Sequence, residues 1–155
     1  MARPLTLRIA IVDGEHARFV QPDGDNALHT VASLDSASAH QRSRDIGTDQ
    51  PGRSFESASS ARHAVGERHD LHAMAKARFV DLVAEQLNAD AERDEFDQLV
   101  LVAPPRALPE LRDALDDVTR AKVIGALEKD LVKTPDHELG EHLRAWVGPL
   151  QRRTG

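Results

Sequence analysis

The apolar positions of this chain change regime twice. Up to Leu34 they come in short β-type runs, from Ser36 to His69 they show almost no period, and from about Asp70 helical spacing alternates with continuous apolar stretches. Leu5 to Val12 (LTLRIAIV) reads as a strand that ends at Asp13-Gly14, a preferred turn pair. Ala17 to Gln21 predicts a second strand, Pro22-Asp23-Gly24-Asp25-Asn26 a turn, and Ala27 to Leu34 a third strand. Short connections make these an antiparallel meander.

Beyond the aperiodic stretch, Leu71, Ala75, Phe79, Leu82, Val83 and Leu87 form one apolar stripe at spacings of three and four, so a helix is expected from about Asp70. The polar run Asn88 to Asp94 is expected to end it. Phe96 to Ala103 (FDQLVLVA) predicts a buried strand stopped by Pro104-Pro105. Leu108, Leu111, Leu115 and Val118 predict one further helix over 108–118, and Lys122 to Leu131 a fifth strand despite Gly125 and the Glu128-Lys129-Asp130 run. Thr134-Pro135 pairs a capping residue with proline at a helix start. The last helix carries Leu139, Leu143, Trp146 and Val147 and stops near Gly148-Pro149, leaving Gln151 to Gly155 as a frayed tail. The order β-β-β-α-β-α-β-α points to a single α/β domain over 1–150, with a mixed five-stranded sheet of the ribonuclease-H-like kind. A long loop over 35–69 joins its third strand to its first helix.

A loop of about 30 residues is unusual in a compact domain unless it carries function or is disordered. With 155 residues there is enough chain for a sizeable core. Four Phe, one Trp and no Tyr make that core aliphatic and exclude a base-stacking platform. The absence of cysteine excludes disulfides, thiolate metal sites and cysteine nucleophiles. The N-terminal apolar run is too short for a signal-peptide core, and no segment approaches the length of a membrane helix. A cytoplasmic protein is expected, with no membrane partner.

A net charge of −6 argues against binding nucleic acid by overall electrostatics, and DNA is not an expected partner. The charge is unevenly spread. Residues 36–68 carry five Arg, no Lys and four acids, whereas the rest carries 15 basic and 22 acidic groups. Arg42, Arg44, Arg53, Arg62 and Arg68 offer planar forks suited to phosphate or carboxylate, with Ser54 and His63 beside them. A plain solvated loop has the same composition. In Pro51-Gly52-Arg53-Ser54-Phe55 the first two residues set a turn, Arg53 presents a fork and Phe55 can anchor the loop. No His–carboxylate pair is tied to Ser54 by spacing, so recognition suits this segment better than covalent catalysis.

Arg106 lies just beyond the carboxyl end of a buried strand, where ligands of open α/β sheets gather, though it could equally pair with a neighbouring acid. A metal-dependent nuclease would take Asp13 as its first ligand, with Asp97 or the loop residues Asp45 and Asp49 as partners. Asp13 is read more simply as a turn residue. His63, His69 and His72 form the one histidine cluster, with His69 and His72 three apart at a helix start and Glu67 and Asp70 nearby. There is no H-E-x-x-H, phosphate loop, G-x-G-x-x-G or G-x-S-x-G pattern, and no cofactor is expected.

Several segments occur in a recognisable order. They are Asp13-Gly14 with Ala17-Arg18-Phe19, Asp49-Gln50-Pro51-Gly52-Arg53-Ser54-Phe55, Ser60-Ala61-Arg62-His63-Ala64, Leu99 to Arg106 (LVLVAPPR), and Glu128-Lys129-Asp130-Leu131. Together they resemble the bacterial host attachment protein family, relatives of the middle domain of archaeal and eukaryotic peptide-chain release factors, over residues 7 to 145. The resemblance implies a mixed α/β fold and a counterpart for the long loop, which in release factors carries Gly-Gly-Gln. This chain has no Gly-Gly-Gln, which implies a ribosome- or tRNA-associated factor without peptidyl-tRNA hydrolysis. Relatives tend to have Gly near Leu108-Pro109, so Pro109 is expected to shift that helix start. Attachment is then read as an indirect phenotype. A small metal-dependent hydrolase and a protein-interaction module, including a homo-oligomer, stand as alternatives.

Overall fold

Leu7–Val12 is buried along its whole length, the signature of a strand covered on both faces. In the computed structural model, which describes residues 5–37 and 65–148 (backbone only for 65–70 and 72), it is the central strand β1. It pairs antiparallel with β2 (His16–Pro22), which pairs antiparallel with β3 (Leu28–Asp35). On its other side β1 runs parallel to β4 (Gln98–Ala103), which runs parallel to β5 (Val123–Glu128). The result is the expected mixed five-stranded sheet, in the order β3-β2-β1-β4-β5.

Alternate residues of the strands feed two cores. Ala10, Val12, Phe19, Leu99 and Leu101 face helix α1 (Val65–Glu92) and helix α2 (Ala107–Ala114). Leu7, Ile9, Ile11, Val20, Val100 and Val102 face the other way, onto Leu139 of helix α4 (Asp136–His142) and onto Leu143 and Val147 just beyond it. A short helix α3 (Asp117–Lys122) lies between α2 and β5. Beside β5, a Cβ on Gly125 would collide with the Trp146 indole, so only glycine lets that ring pack there.

Three sequence expectations need correcting. First, α1 begins at Val65, earlier than the expected Asp70, and continues through the polar run to Glu92. Asp90 is buried there because Arg8 and Arg93 pair with it. The helix is closed by Asp94 in the left-handed region (φ 56°), with Glu95 N–H bonded to the Asp90 carbonyl and Asp94 N–H to that of Ala91. Second, the expected helix over 108–118 is two helices. Leu115 is extended, and Asp116 caps α3 by accepting from Thr119 N–H at 2.9 Å. Asn88 of α1 holds the break, accepting Asp116 N–H at 3.0 Å and donating to the Ala114 carbonyl at 3.2 Å, and Val118 is left exposed. Third, the last helix ends at His142, and Leu143 to Trp146, expected within it, follow as turns. Pro109 lies within α2. It occupies the first turn, where its missing N–H has no intrahelical partner to lose.

At 28 residues α1 is roughly 42 Å long, about twice the reach of a six-residue strand. Its second half buries Phe79, Val80, Val83, Ala84 and Leu87 on the sheet. Its first half projects past the carboxyl ends of β1 and β4, so Leu71 and Ala75, expected on the buried stripe, are exposed along with Met74.

Candidate functional site

The carboxyl ends of β1 and β4 form the rim of a cleft of about 460 Å³. Parallel neighbours leave their following loops side by side there, and the overhanging half of α1 supplies the opposite wall. Asp13 and Gly14 come from the β1–β2 turn, Lys76 and Val80 from α1, Arg106 from the entry to α2, and Asp130 from the segment after β5. The Lys76 stem lies against Gly14, where an added Cβ would come within 2.8 Å of it.

Arg106 stands where the sequence placed it, at the N-cap of α2. It is exposed, caps no backbone group, and has no ion-pair partner among the described residues. Lys76 is likewise exposed and without a partner among them. Its position in the cleft was not anticipated. The available signal was a lone Lys just before the buried half of an amphipathic helix. Glu15, Glu110, Asp13 and Asp130 also line the cleft, so its net charge is not basic.

Asp13 is a turn residue. Its Oδ1 accepts the N–H of Glu15 at 2.7 Å and of His16 at 2.6 Å, which stitches the β1–β2 hairpin. Asp97 sits at the other end of the sheet and accepts the Thr6 N–H at 2.8 Å. The two carboxylates proposed as a nuclease pair therefore lie roughly 20 Å apart along β1 and cannot share a metal. No group of three or more metal-ligating side chains occurs among the described residues.

Arg42, Arg44, Asp45, Asp49, Arg53, Ser54, Arg62 and His63 lie outside the described residues. The backbones of Arg68, His69 and His72 are helical, but their side chains are not described. What is described is where the chain leaves the sheet and returns. Ser36 N–H donates to the carbonyl of Glu15, a residue of the cleft, at 2.8 Å. The return is through α1, whose Ala73 and Lys76 line the same cleft.

A third arrangement went unread in the sequence. Arg8, in the middle of the apolar run of β1, is buried and points toward α1. Its Nη1 donates to Asp90 at 2.5 Å, and its guanidinium carbon lies 5.4 Å from the Phe19 ring centroid and 5.0 Å from that of Phe96. A charged residue inside a doubly covered strand signals a buried partner, here an aspartate taken for part of a helix-ending run.

Among solved structures, an archaeal translation termination factor is similar over 90% of this chain and 38% of its own, at 13% identity and TM-score 0.48. The chain thus spans well under half of that factor, and the likeness is too distant to carry a functional argument. No curated protein sequence matches. Residues 8–143 match the family described as proteins required for attachment to host cells, and the chain belongs to that family.

Proposed function

We propose that this protein is a non-catalytic RNA-binding factor that recognises phosphates on the ribosome or tRNA. The arginines of residues 36–68 act together with Lys76 and Arg106 of the cleft. The observation that carries the reading is the convergence at one end of the sheet. Two exposed cations without partners among the described residues stand beside the point where the arginine-rich stretch departs and the helix by which it returns. The cleft alone holds more carboxylates than cations, so phosphate affinity has to come from Arg42, Arg44, Arg53, Arg62 and Arg68, with Ser54 and His63 as hydrogen-bonding neighbours. Lys76 and Arg106 each add one phosphate contact to these.

The sequence resemblance to release-factor middle domains supports the choice of RNA, and the lack of Gly-Gly-Gln supports a role without hydrolysis. No described helix is long and apolar enough to cross a membrane. Attachment to host cells, in the family description, then follows from an effect on translation and not from direct adhesion.

Fluorescence anisotropy of labelled tRNA across a salt series tests the reading. Lys76→Ala combined with Arg106→Ala is expected to weaken binding and to flatten the logarithmic salt slope by about 2, one unit for each phosphate no longer neutralised. A slope identical to wild type would remove the cleft from the interface.

A further inference from the structure

The outer side of α1, turned away from the sheet, breaks the pattern of a surface helix. Its inner side buries Phe79, Val80, Val83 and Leu87, so polar residues are expected opposite them. At about 3.6 residues per turn, Leu71, Met74, Arg78, Leu82 and Glu85 instead share one outward face. Leu71 is 53% exposed and Met74 61%, and Leu82 is half-buried. Among the described residues, Leu71 and Met74 are the one pair of exposed large apolar side chains on a single element. An apolar stripe left open to water in this way marks an interaction surface.

The charges beside the stripe are acidic in excess. Asp81 and Glu85 are exposed one helical turn apart, and like charges at that spacing destabilise a helix. Arg78 does not relieve them, because none of the three makes an ion pair with any described residue. Glu92 follows two turns beyond Glu85, and its neighbour Arg93 is held on Asp90. This face therefore repels a phosphate backbone. A second copy of the chain would double the surplus of acid across the contact, whereas a cation lying between Asp81 and Glu85 removes it.

From the apolar stripe and the unpaired acids together we infer that the outer side of α1 docks a basic amphipathic helix of a protein partner. Apolar side chains of that helix cover Leu71, Met74 and Leu82, and its lysines or arginines lie against Asp81 and Glu85. Lys76 sits on nearly the opposite side of α1, in the cleft, so docking leaves the cleft open and does not rest on RNA recognition.

The face from Leu71 to Glu85 is about 21 Å long, which sets the probe as a helix-forming leucine–lysine peptide of about 14 residues. Fluorescence anisotropy of that labelled peptide with the full chain is the test, with a leucine–glutamate peptide of the same pattern as control. Saturable binding of the basic peptide below about 100 μM is expected, and none of the acidic one. Leu71→Ser with Met74→Ser should weaken binding at least about tenfold with an unchanged thermal midpoint, because both side chains are exposed. Asp81→Asn with Glu85→Gln should weaken it about fivefold and reduce its salt dependence. No saturable binding, equal affinity for the two peptides, or wild-type binding by either variant would overturn the assignment. So would a lower thermal midpoint of the serine variant, which would mean that the chain itself covers the stripe. Sedimentation equilibrium of the chain alone closes the last alternative: a dimer that the serine variant loses would assign the face to a second copy and overturn the proposal.

Discussion

The Arg18 guanidinium of β2 lies 3.5 Å from the carboxylate of Asp136, the first residue of α4. Arg18 also donates to the carbonyls of Leu131 and Thr134, and Asp136 accepts from the N–H and the hydroxyl of Thr30 on β3. One largely buried cation and one half-buried anion thus fasten the start of α4 to β2 and β3. Burial pushes the Asp136 carboxyl up, but the Thr30 hydrogen bonds and the charge of Arg18 outweigh it and hold the group below its ordinary value. A depressed carboxyl stabilises the fold above its unfolded value and ceases to as pH falls through the folded one. Asp136→Asn is expected to cost about 1 kcal/mol at neutral pH, kept small because the side chain is 38% exposed and screened. Chemical denaturation at a series of pH values should show the gap to wild type closing as pH drops below the ordinary carboxylate value of 3.8.

Gly125 gives a second, sharper test of the same layer. Gly125→Ala places a methyl group where the Trp146 indole sits, and is expected to destabilise by about 2 kcal/mol through overpacking. Combining it with Trp146→Leu should recover part of that loss, so a denaturant double-mutant cycle should give a non-additive term. Strict additivity would mean the two residues do not touch.

The sheet was legible in the sequence because its strands are short apolar runs between strong turn signals, as at Asp13-Gly14 and Pro104-Pro105. The helix boundaries were less so. The polar run at 88–94 looks like a terminus, but Asp90 is polar in sequence and buried in space, since its partner Arg8 is 82 positions away. The break between α2 and α3 depends on Asn88 reaching across from α1, another non-local interaction. Arg106 and Asp13 could be placed from their local patterns alone. Lys76 could not, because its place in the cleft follows from how far α1 overhangs the sheet.

Asp90 is where a buried charge depends most on its partner. Asp90→Ala leaves Arg8 between two aromatic rings with no anion, and is expected to cost about 3 kcal/mol or more. The double change Arg8→Met with Asp90→Leu should be much milder, because it removes both charges and refills the space. Thermal or urea unfolding of the two variants separates these outcomes.

Asp13 is assigned to the hairpin turn, not to catalysis. Asp13→Ala should lower stability by about 1 kcal/mol, because the N–H groups of Glu15 and His16 are left without their acceptor. Neither wild type nor variant should gain thermal stability from Mg²⁺ or Mn²⁺ over a wide concentration range. A metal-dependent shift in wild type that disappears in Asp13→Ala would restore the nuclease reading.

The most direct test of RNA recognition by the arginine-rich stretch is co-sedimentation of the purified protein with bacterial ribosomes from low to high salt. Wild type is expected to pellet at low salt and to be released as salt rises, while Arg53→Ala with Arg62→Ala should stay in the supernatant. Failure of wild type to pellet at any salt concentration, or identical pelleting of that variant, would contradict it.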